Sequence, residues 1–194
     1  MIYLIGGASR AGKSTLSKMI AEKYCIGFLS LDVLRSGLCH GAPQLGIDPR
    51  HASWQDARRM WPIVRAMIRS QLRDGRDYVI EGVCLRPIDV ARIRKLYQSR
   101  IAACFLGYGD MDIATKYKHI KKHTDGPNDW LSRNSDAYIE RHIRYNLSLS
   151  RKLQAECKTH RIAFYDTGSR FKSQLNAALR DLRQQRKAEI KGAA

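Results

Sequence analysis

A glycine-rich stretch near the start of the chain, GASRAGKS at positions 7–14, matches the pattern G-x-x-x-x-G-K-[ST] at every defined position. An apolar run (residues 1–6) precedes it, and a stretch with helical period (residues 13–24) follows it. A buried strand, a glycine loop and a helix in this order form a cradle whose backbone N–H groups bind phosphate. The stretch therefore requires a strand within a sheet and a helix packed on that sheet, which is an α/β arrangement.

The rest of the chain repeats this alternation of short apolar runs and longer stretches of helical period. The predicted strands are 1–6, 25–32, 77–82, 100–108 and 161–168, and the predicted helices are 13–24, 31–38, 53–74, 87–98, 111–123, 135–159 and 171–186. Nearly continuous hydrophobicity in the strands is typical of a parallel sheet that is covered on both faces. The 194 residues suit one three-layer α/β domain, with loops over the site at 39–52 and 124–134.

Each part of the glycine-rich stretch has a role in phosphate binding. Gly7 and Gly12 allow backbone turns that a Cβ atom would block, Lys13 reaches the outer phosphates and the Ser14 hydroxyl binds Mg²⁺. Arg10 either adds positive charge near the phosphates or points to solvent. The predicted ligand is ATP or GTP, and the absence of a guanine-reading N/T-K-x-D element favours ATP without deciding between them. The predicted nucleotide-binding residues in this stretch are Gly7, Ala8, Ser9, Arg10, Ala11, Gly12, Lys13, Ser14 and Thr15.

Two charged residues lie at the end of the second predicted strand and just after it. Asp32 can accept a proton from an acceptor hydroxyl or bind Mg²⁺ through water, or it can cap the next helix. Arg35 lies one helical turn further on and should project near Asp32. Its guanidinium suits a carboxylate or phosphate on the acceptor, and a surface arginine is the alternative.

The third predicted strand ends in Glu81, in the sequence YVIEGVCLRP. An acidic residue after an apolar strand is the Walker B arrangement, in which the carboxylate holds the magnesium shell or polarises a nucleophile. A purely structural Glu81 would need a buried partner, because burying an unpaired carboxylate is costly. Arg86 follows in the loop before Pro87 and is a candidate to bind the acceptor.

At these residues the chain resembles the P-loop kinases of small molecules and nucleoside monophosphates. LDVLR at 31–35 is similar to the Asp-x-x-Arg element of adenylate-kinase-like enzymes, and EGVCLR at 81–86 to their D-G-F-P-R, with Glu for Asp and one extra residue before the Arg. The stretch from IGGASRAGKST to LDVLR also resembles the openings of 2-phosphoglycerate kinases, chloramphenicol phosphotransferases and zeta-type toxins. The resemblance implies a five-stranded parallel sheet of order 2-3-1-4-5, a small lid, ATP as donor and Mg²⁺ as cofactor.

The same resemblance implies roles for residues later in the chain. Adenylate kinases carry two lid arginines eleven positions apart, a spacing that Arg133 and Arg144 share, with Arg141 nearby. These arginines would supply positive charge as the phosphoryl group moves, although a solvated helix face explains them equally well. Gly168, after the fifth strand, would let the chain approach the purine, while Asp166 would either belong to that loop or cap the last helix. The implied acceptor side is about 35–75 and the implied lid is about 110–145.

Charge and composition limit the partners. Lys and Arg number 35 against 18 Asp and Glu, a net charge of +17 that favours anionic partners. The five scattered cysteines and the lack of an apolar run long enough to span a membrane indicate a cytoplasmic protein, either monomer or homodimer. The prediction is a phosphotransferase acting on a small anionic or hydroxyl-bearing acceptor. The alternatives are an enzyme that acts on RNA or DNA ends, for which no binding motif is evident, and a nucleotide-binding regulator without transfer activity.

Overall fold

Five parallel strands form one sheet in the order β2-β3-β1-β4-β5, as the resemblance predicted. The structure is a computed structural model that describes residues 1–48, 53–97, 100–122 and 129–192. The strands are β1 Ile2–Gly7, β2 Gly27–Ser30, β3 Tyr78–Gly82, β4 Ile101–Gly107 and β5 Ala163–Asp166. The carboxyl ends of parallel strands lie at one edge of the sheet, where ligands bind in folds of this class.

Helices cover both faces of the sheet, which confirms the three-layer α/β prediction. They are α1 Lys13–Tyr24, α2 Leu31–Gly41, α3 Ser53–Arg73, α4 Pro87–Tyr97, α5 Ile113–Lys122, α6 Asp136–His160 and α7 Phe171–Gly192. Alternate residues of β1 enter two separate cores. Tyr3 and Ile5 pack with residues of α1 and α7, whereas Leu4 packs with α3 and α4. Both faces of β1 are therefore apolar, which explains its continuous hydrophobic run.

The second strand is shorter and more exposed than the sequence predicted. It covers only Gly27–Ser30 of the predicted 25–32, and its residues are exposed or half-buried because β2 forms one edge of the sheet. The chain turns into α2 at Leu31, where the Ser30 hydroxyl accepts a hydrogen bond from the Asp32 amide at 3.3 Å. Ser30 therefore caps the helix, and the suggestion that Asp32 is the cap was wrong.

The loop predictions are met in part. Of the predicted loop 39–52, α2 takes the first residues and a short 3-10 helix forms at Pro43–Leu45, while 49–52 lie outside the described residues. Residues 123–128 also lie outside the described residues, and they include the first part of the predicted loop 124–134 and part of the implied lid. All five cysteines are free thiols, and three of them are buried as small core residues. Among the described helices, none combines the length and apolar character needed to cross a bilayer.

Candidate active site

The glycine-rich stretch forms the turn between β1 and α1, and its two defining glycines have positive φ angles. Gly7 has φ 140° and Gly12 has φ 95°. A Cβ atom on Gly7 would lie 2.1 Å from the carbonyl oxygen of Leu106, and one on Gly12 would lie 2.8 Å from the ring of Phe171. Both positions therefore exclude a side chain, as the sequence predicted.

Lys13 starts α1 and bends back over the loop. Its side chain is buried, and its Nζ donates a hydrogen bond to the Ala8 carbonyl at 2.8 Å. The amides of the first turn of α1 face the same loop, and the N-terminus of a helix carries partial positive charge. The loop thus combines a cation and a helix N-terminus, which together favour a phosphate group.

Ser14 and Glu81 meet at the edge of the loop. The Ser14 hydroxyl lies 3.3 Å from Oε1 of Glu81, and Glu81 is 2% exposed. The second carboxylate oxygen, Oε2, has no hydrogen-bond partner among the residues that the structure describes. Burial raises the pKa of the Glu81 carboxyl above its ordinary value, and the charge of Lys13 opposes this shift without cancelling it. The negative charge of Asp32 acts in the same direction as burial.

Strand register explains why these groups converge. Glu81 pairs with Ser30 of β2 on one side and with Ile5 of β1 on the other. The glycine loop leaves β1 two residues after Ile5, and Asp32 follows Ser30 by two residues. Parallel pairing therefore brings the carboxyl ends of β1, β2 and β3 together. The sequence predicts this convergence through its α/β pattern alone.

Asp32 is exposed and lines an open cavity of about 730 Å³. Arg133 lies in the wall of the same cavity, so the structure places one predicted lid arginine near the predicted base. The remaining wall is formed by residues of α2 and by one aromatic side chain beside Arg133: Val33, Ser36, Gly37, His40 and Trp130.

Arg35 is buried in an ion pair with a carboxylate of α3. Its Nε donates to Oδ2 of Asp56 in α3 at 2.7 Å, and its Nη2 donates to the Asp48 carbonyl at 3.0 Å. Arg35 is 8% exposed and Asp56 is fully buried. The alternative of a solvated surface arginine was therefore wrong, and the guanidinium joins α2 to α3.

Arg86 contacts a buried carboxylate at the start of α4. Its Nε lies 2.5 Å from Oδ2 of Asp89, and part of the side chain is exposed to a second cavity of about 490 Å³. This cavity lies between the β3–α4 loop, the start of α3 and the middle of α6. Its polar and aromatic lining includes Trp54, Arg58, Tyr145, Ser148, Lys152 and Glu156.

The other two predicted lid arginines lie on the exposed surface of α6. The guanidinium of Arg141 is 5.8 Å from the centre of the Tyr138 ring. Arg144 forms a long ion pair with Glu140 at 3.8 Å, within the same helix. Neither arginine lines the cavity that contains Asp32.

The loop after β5 lies against the glycine-rich loop. The Thr167 hydroxyl donates to the Ala11 carbonyl at 3.0 Å, and Oδ1 of Asp166 accepts from the Gly168 amide at 2.8 Å. Helix α7 begins at Phe171, so the suggestion that Asp166 caps this helix was wrong. A Cβ on Gly168 would lie 2.9 Å from Asp166, which accounts for glycine at this position.

The glycine loop is held by polar contacts that the sequence analysis did not predict. Arg10 forms an ion pair with buried Asp129 and does not point to solvent. Buried Lys116 donates to the Arg10 carbonyl at 2.9 Å, and Oδ1 of Asn146 accepts from the Ser9 amide at 2.9 Å. The only sequence signal is that Lys116 and Asn146 occupy apolar positions of the helical period in α5 and α6.

Comparison with known proteins agrees with this architecture. A family model described as an AAA domain matches residues 1–128. A gluconokinase from Sinorhizobium meliloti 1021 superimposes with a TM-score of 0.62 at 17% identity, covering 100% of this chain and 97% of that one. A shikimate kinase from Bacteroides thetaiotaomicron gives 0.54 at 14% identity, covering 95% and 97%. No curated protein sequence matches the chain. At these identities the likeness is one of fold, and it is shared with P-loop kinases.

Proposed function

The chain belongs to the AAA domain family, and from this premise we propose that it is a P-loop kinase that uses ATP and Mg²⁺. In this proposal it transfers the γ-phosphoryl group to a hydroxyl or phosphate of a small anionic acceptor. Its fold is that of gluconokinase and shikimate kinase structures. A P-loop alone also serves switches and motors, so the proposal depends on what surrounds the loop.

The observation that carries the proposal is the contact between Ser14 and Glu81. A serine hydroxyl and a buried carboxylate oxygen without a partner among the described residues lie at the mouth of a phosphate loop. Mg²⁺ prefers oxygen ligands and is usually bound by one or two carboxylates together with substrate phosphates. These residues fit such an ion, with Asp32 acting through a water molecule. Bound Mg²⁺ would neutralise charge on the transferred phosphoryl group.

The donor would bind along the glycine loop. Its phosphates would be held by the loop amides and by Lys13, whose ammonium group would exchange the Ala8 carbonyl for phosphate oxygens. The loop that contains Gly168 lies against the glycine loop through Thr167 and would border the nucleobase. ATP is the proposed donor, since the sequence has no guanine-reading element.

Asp32 would act on the acceptor. With an alcohol acceptor, its carboxylate takes the hydroxyl proton while the acceptor oxygen bonds to the γ-phosphorus. The bond from that phosphorus to the β–γ bridging oxygen breaks, and ADP leaves with the electron pair. With a phosphate acceptor, no proton need be removed and Asp32 would serve to orient the acceptor. Its exposure to a cavity of about 730 Å³ supports this role.

Positive side chains that line the two cavities support an anionic acceptor. Arg133 shares the cavity of Asp32 and is the lid arginine we propose to contact the reacting group. Arg86 lines the second cavity, of about 490 Å³, and would bind a carboxylate or phosphate of an acceptor that extends to it. Arg35 would act indirectly, by holding α2 and Asp32 in place. Arg141 and Arg144 would have to change position to reach the acceptor.

The test is an assay of ADP formation with a panel of acceptors: nucleoside monophosphates, sugars, sugar acids and phosphorylated acids. We expect one class to raise turnover well above basal hydrolysis. Asp32→Asn should reduce that turnover by about 10²–10⁴-fold for an alcohol acceptor, while Asp110→Asn is the matched control that should retain it. If no acceptor raises turnover, the kinase assignment is wrong and the regulator alternative gains support.

The same assay separates a small-molecule kinase from an enzyme of nucleic-acid ends. An oligonucleotide acceptor would give binding that weakens steeply with salt, because each neutralised phosphate releases counterions. A small acceptor with one or two charges would give a shallow salt dependence. We expect the shallow dependence, since both cavities have the size of small-molecule sites.

A further inference from the structure

The side chain of Arg10, at the tip of the glycine loop, is paired with a carboxylate from a distant part of the chain. Its guanidinium forms an ion pair with Oδ1 of Asp129, in the turn before α6. Asp129 is 4% exposed, and the same oxygen accepts a hydrogen bond from the Ser132 amide at 3.3 Å. A buried carboxylate is stable only with such partners, so the pair fixes the turn to the loop.

The backbone of the loop tip is also held from outside. Lys116 of α5 donates to the Arg10 carbonyl at 2.9 Å, and Asn146 of α6 accepts from the Ser9 amide at 2.9 Å. Arg10 has φ 59°, in the left-handed region that a residue other than glycine rarely adopts. Three separate elements therefore hold this tip in one conformation.

The turn that contains Asp129 continues directly into the wall of the Asp32 cavity. Trp130 and Arg133, one and four residues later, both line that cavity. Leu131 is fully buried between them, and Asn134 closes the turn by donating to the Trp130 carbonyl at 2.7 Å. The Trp130 ring also packs edge-on against His142 at 5.3 Å. A displacement of Asp129 would therefore displace Trp130 and Arg133.

We propose that Arg10 and Asp129 are positioning residues that couple the donor loop to the acceptor cavity. Through this pair, the loop that receives the nucleotide sets the place of Trp130 and Arg133 opposite Asp32. The kinetic part of this inference rests on the proposed function, whereas the coupling itself does not. It assigns Arg10 a role other than direct contact with phosphate.

A double-mutant cycle tests the coupling, with Arg10→Gln, Asp129→Asn and the double variant. Asparagine retains an oxygen for the Ser132 amide and removes only the charge. We expect each single variant to lower kcat/KM for the acceptor about tenfold, and the double variant to be no worse than either, because contacting residues that act as a pair are not additive. The dissociation constant of a non-hydrolysable ATP analogue should change less than about threefold in Asp129→Asn.

Two further variants separate positioning from general destabilisation. Arg10→Lys keeps the charge and should recover part of the loss. Asp136→Asn breaks the exposed ion pair with Lys121, 3.0 Å long, which also joins α5 to α6, and should leave kcat/KM unchanged. Additive losses in the cycle, or an equal loss in Asp136→Asn, would overturn the proposal. Should Asp129→Asn fail to fold, Arg10→Gln and Arg10→Lys alone give the comparison.

Limited trypsin cleavage after Arg133 gives a readout that needs no acceptor. Cleavage should be about tenfold faster in Arg10→Gln and in Asp129→Asn than in the wild type, without additivity in the double variant, and unchanged in Asp136→Asn. Coupled cleavage rates without phosphoryl transfer to any acceptor would mean that the proposed function fails and the coupling stands. Phosphoryl transfer to an acceptor, together with wild-type cleavage rates in every variant, would mean that the proposed function stands and the coupling fails.

Discussion

The guanidinium of Arg35 in α2 and the carboxylate of Asp56 in α3 form a buried ion pair, with Nε 2.7 Å from Oδ2. The pair spans the segment in which the chain passes from α2 to α3, and Arg35 also donates to the Asp48 carbonyl at 3.0 Å. Asp32 lies one turn before Arg35 on the same helix. The pair therefore anchors the helix that presents Asp32 to the acceptor cavity.

Arg35→Met should destabilise the protein as well as reduce activity. The substitution removes a cation in contact with a fully buried carboxylate, a change that typically costs about 3–5 kcal/mol. Urea denaturation should show this loss in the free energy of unfolding, and Arg35→Met combined with Asp56→Leu should recover most of it. Arg69→Met, on the exposed face of α3, should change stability by less than about 0.5 kcal/mol. Equal effects of the two single variants would contradict a structural role for Arg35.

Glu81→Gln should abolish most Mg²⁺-dependent turnover. Glutamine keeps the shape of the side chain and an oxygen for Ser14 but removes the charge that would hold the metal shell. We expect kcat to fall by about 10²–10³-fold and the Mg²⁺ concentration for half-maximal activity to rise. Titration of activity with Mg²⁺ measures both, and Glu140→Gln, on the exposed face of α6, is the matched control. A variant with normal Mg²⁺ dependence would exclude Glu81 from the metal site.

In the absence of nucleotide and at neutral pH, Glu81→Gln should be more stable than the wild type. Burial raises the pKa of Glu81 above its ordinary value of 4.5, so folding favours the protonated form. Stability from this group is therefore fully present below about pH 4.5 and is lost as the pH rises through the folded pKa. Calorimetry should show a higher melting temperature for Glu81→Gln than for the wild type at pH 8, with the difference shrinking toward pH 5. A constant difference would indicate that Glu81 does not titrate between the two states.

The sequence was sufficient to predict the sheet and the phosphate loop because both depend on local patterns. A G-x-x-x-x-G-K-S stretch between an apolar run and a helical one leaves little freedom for Gly7, Gly12 and Lys13. The convergence of Asp32 and Glu81 also followed, since parallel strands bring their carboxyl ends together. The strand order came from the resemblance, and it agrees with the structure.

Long-range polar pairs could not be predicted from the sequence. Arg10 and Asp129 are 119 residues apart, and Arg35 and Asp56 are 21 apart. In the sequence, nothing distinguishes these two arginines from the many other arginines and lysines of a chain with net charge +17, most of which are expected on the surface. The periodicity of helices and strands indicates which face is buried, but it does not indicate which charged side chains form a pair. The predicted acceptor role of Arg35 and the two suggestions for Arg10 were therefore made without knowledge of their partners.

Lys116 should make stability rise with pH in the alkaline range. Burial lowers its pKa to about 8, and the nearby charge of Arg10 adds to this shift while Asp166 opposes it. Between about pH 8 and 10.5 the unfolded chain binds the proton more strongly, so unfolding becomes less favourable as the pH rises. The free energy of unfolding of the wild type, relative to Lys116→Met, should increase by about 3 kcal/mol between pH 7 and 10.5. Urea denaturation across this range measures it, and exposed Lys118→Met should show no such trend.

Gly12→Ala should disrupt nucleotide binding through the shape of the loop alone. Its φ of 95° is strained for any residue with a side chain, and the added Cβ would lie 2.8 Å from the Phe171 ring and 3.3 Å from Leu175. Because the φ angle disfavours a side chain and the Phe171 ring would also have to shift, we expect the affinity for an ATP analogue to fall at least about tenfold, as for about 1.4 kcal/mol of strain. Gly41→Ala, at the end of α2 where a Cβ meets nothing within 4 Å, is the control and should bind normally. Isothermal titration calorimetry at a fixed Mg²⁺ concentration compares the wild type with the two variants. An unchanged affinity in Gly12→Ala would show that the loop tolerates a side chain at this position and that its backbone geometry does not govern binding.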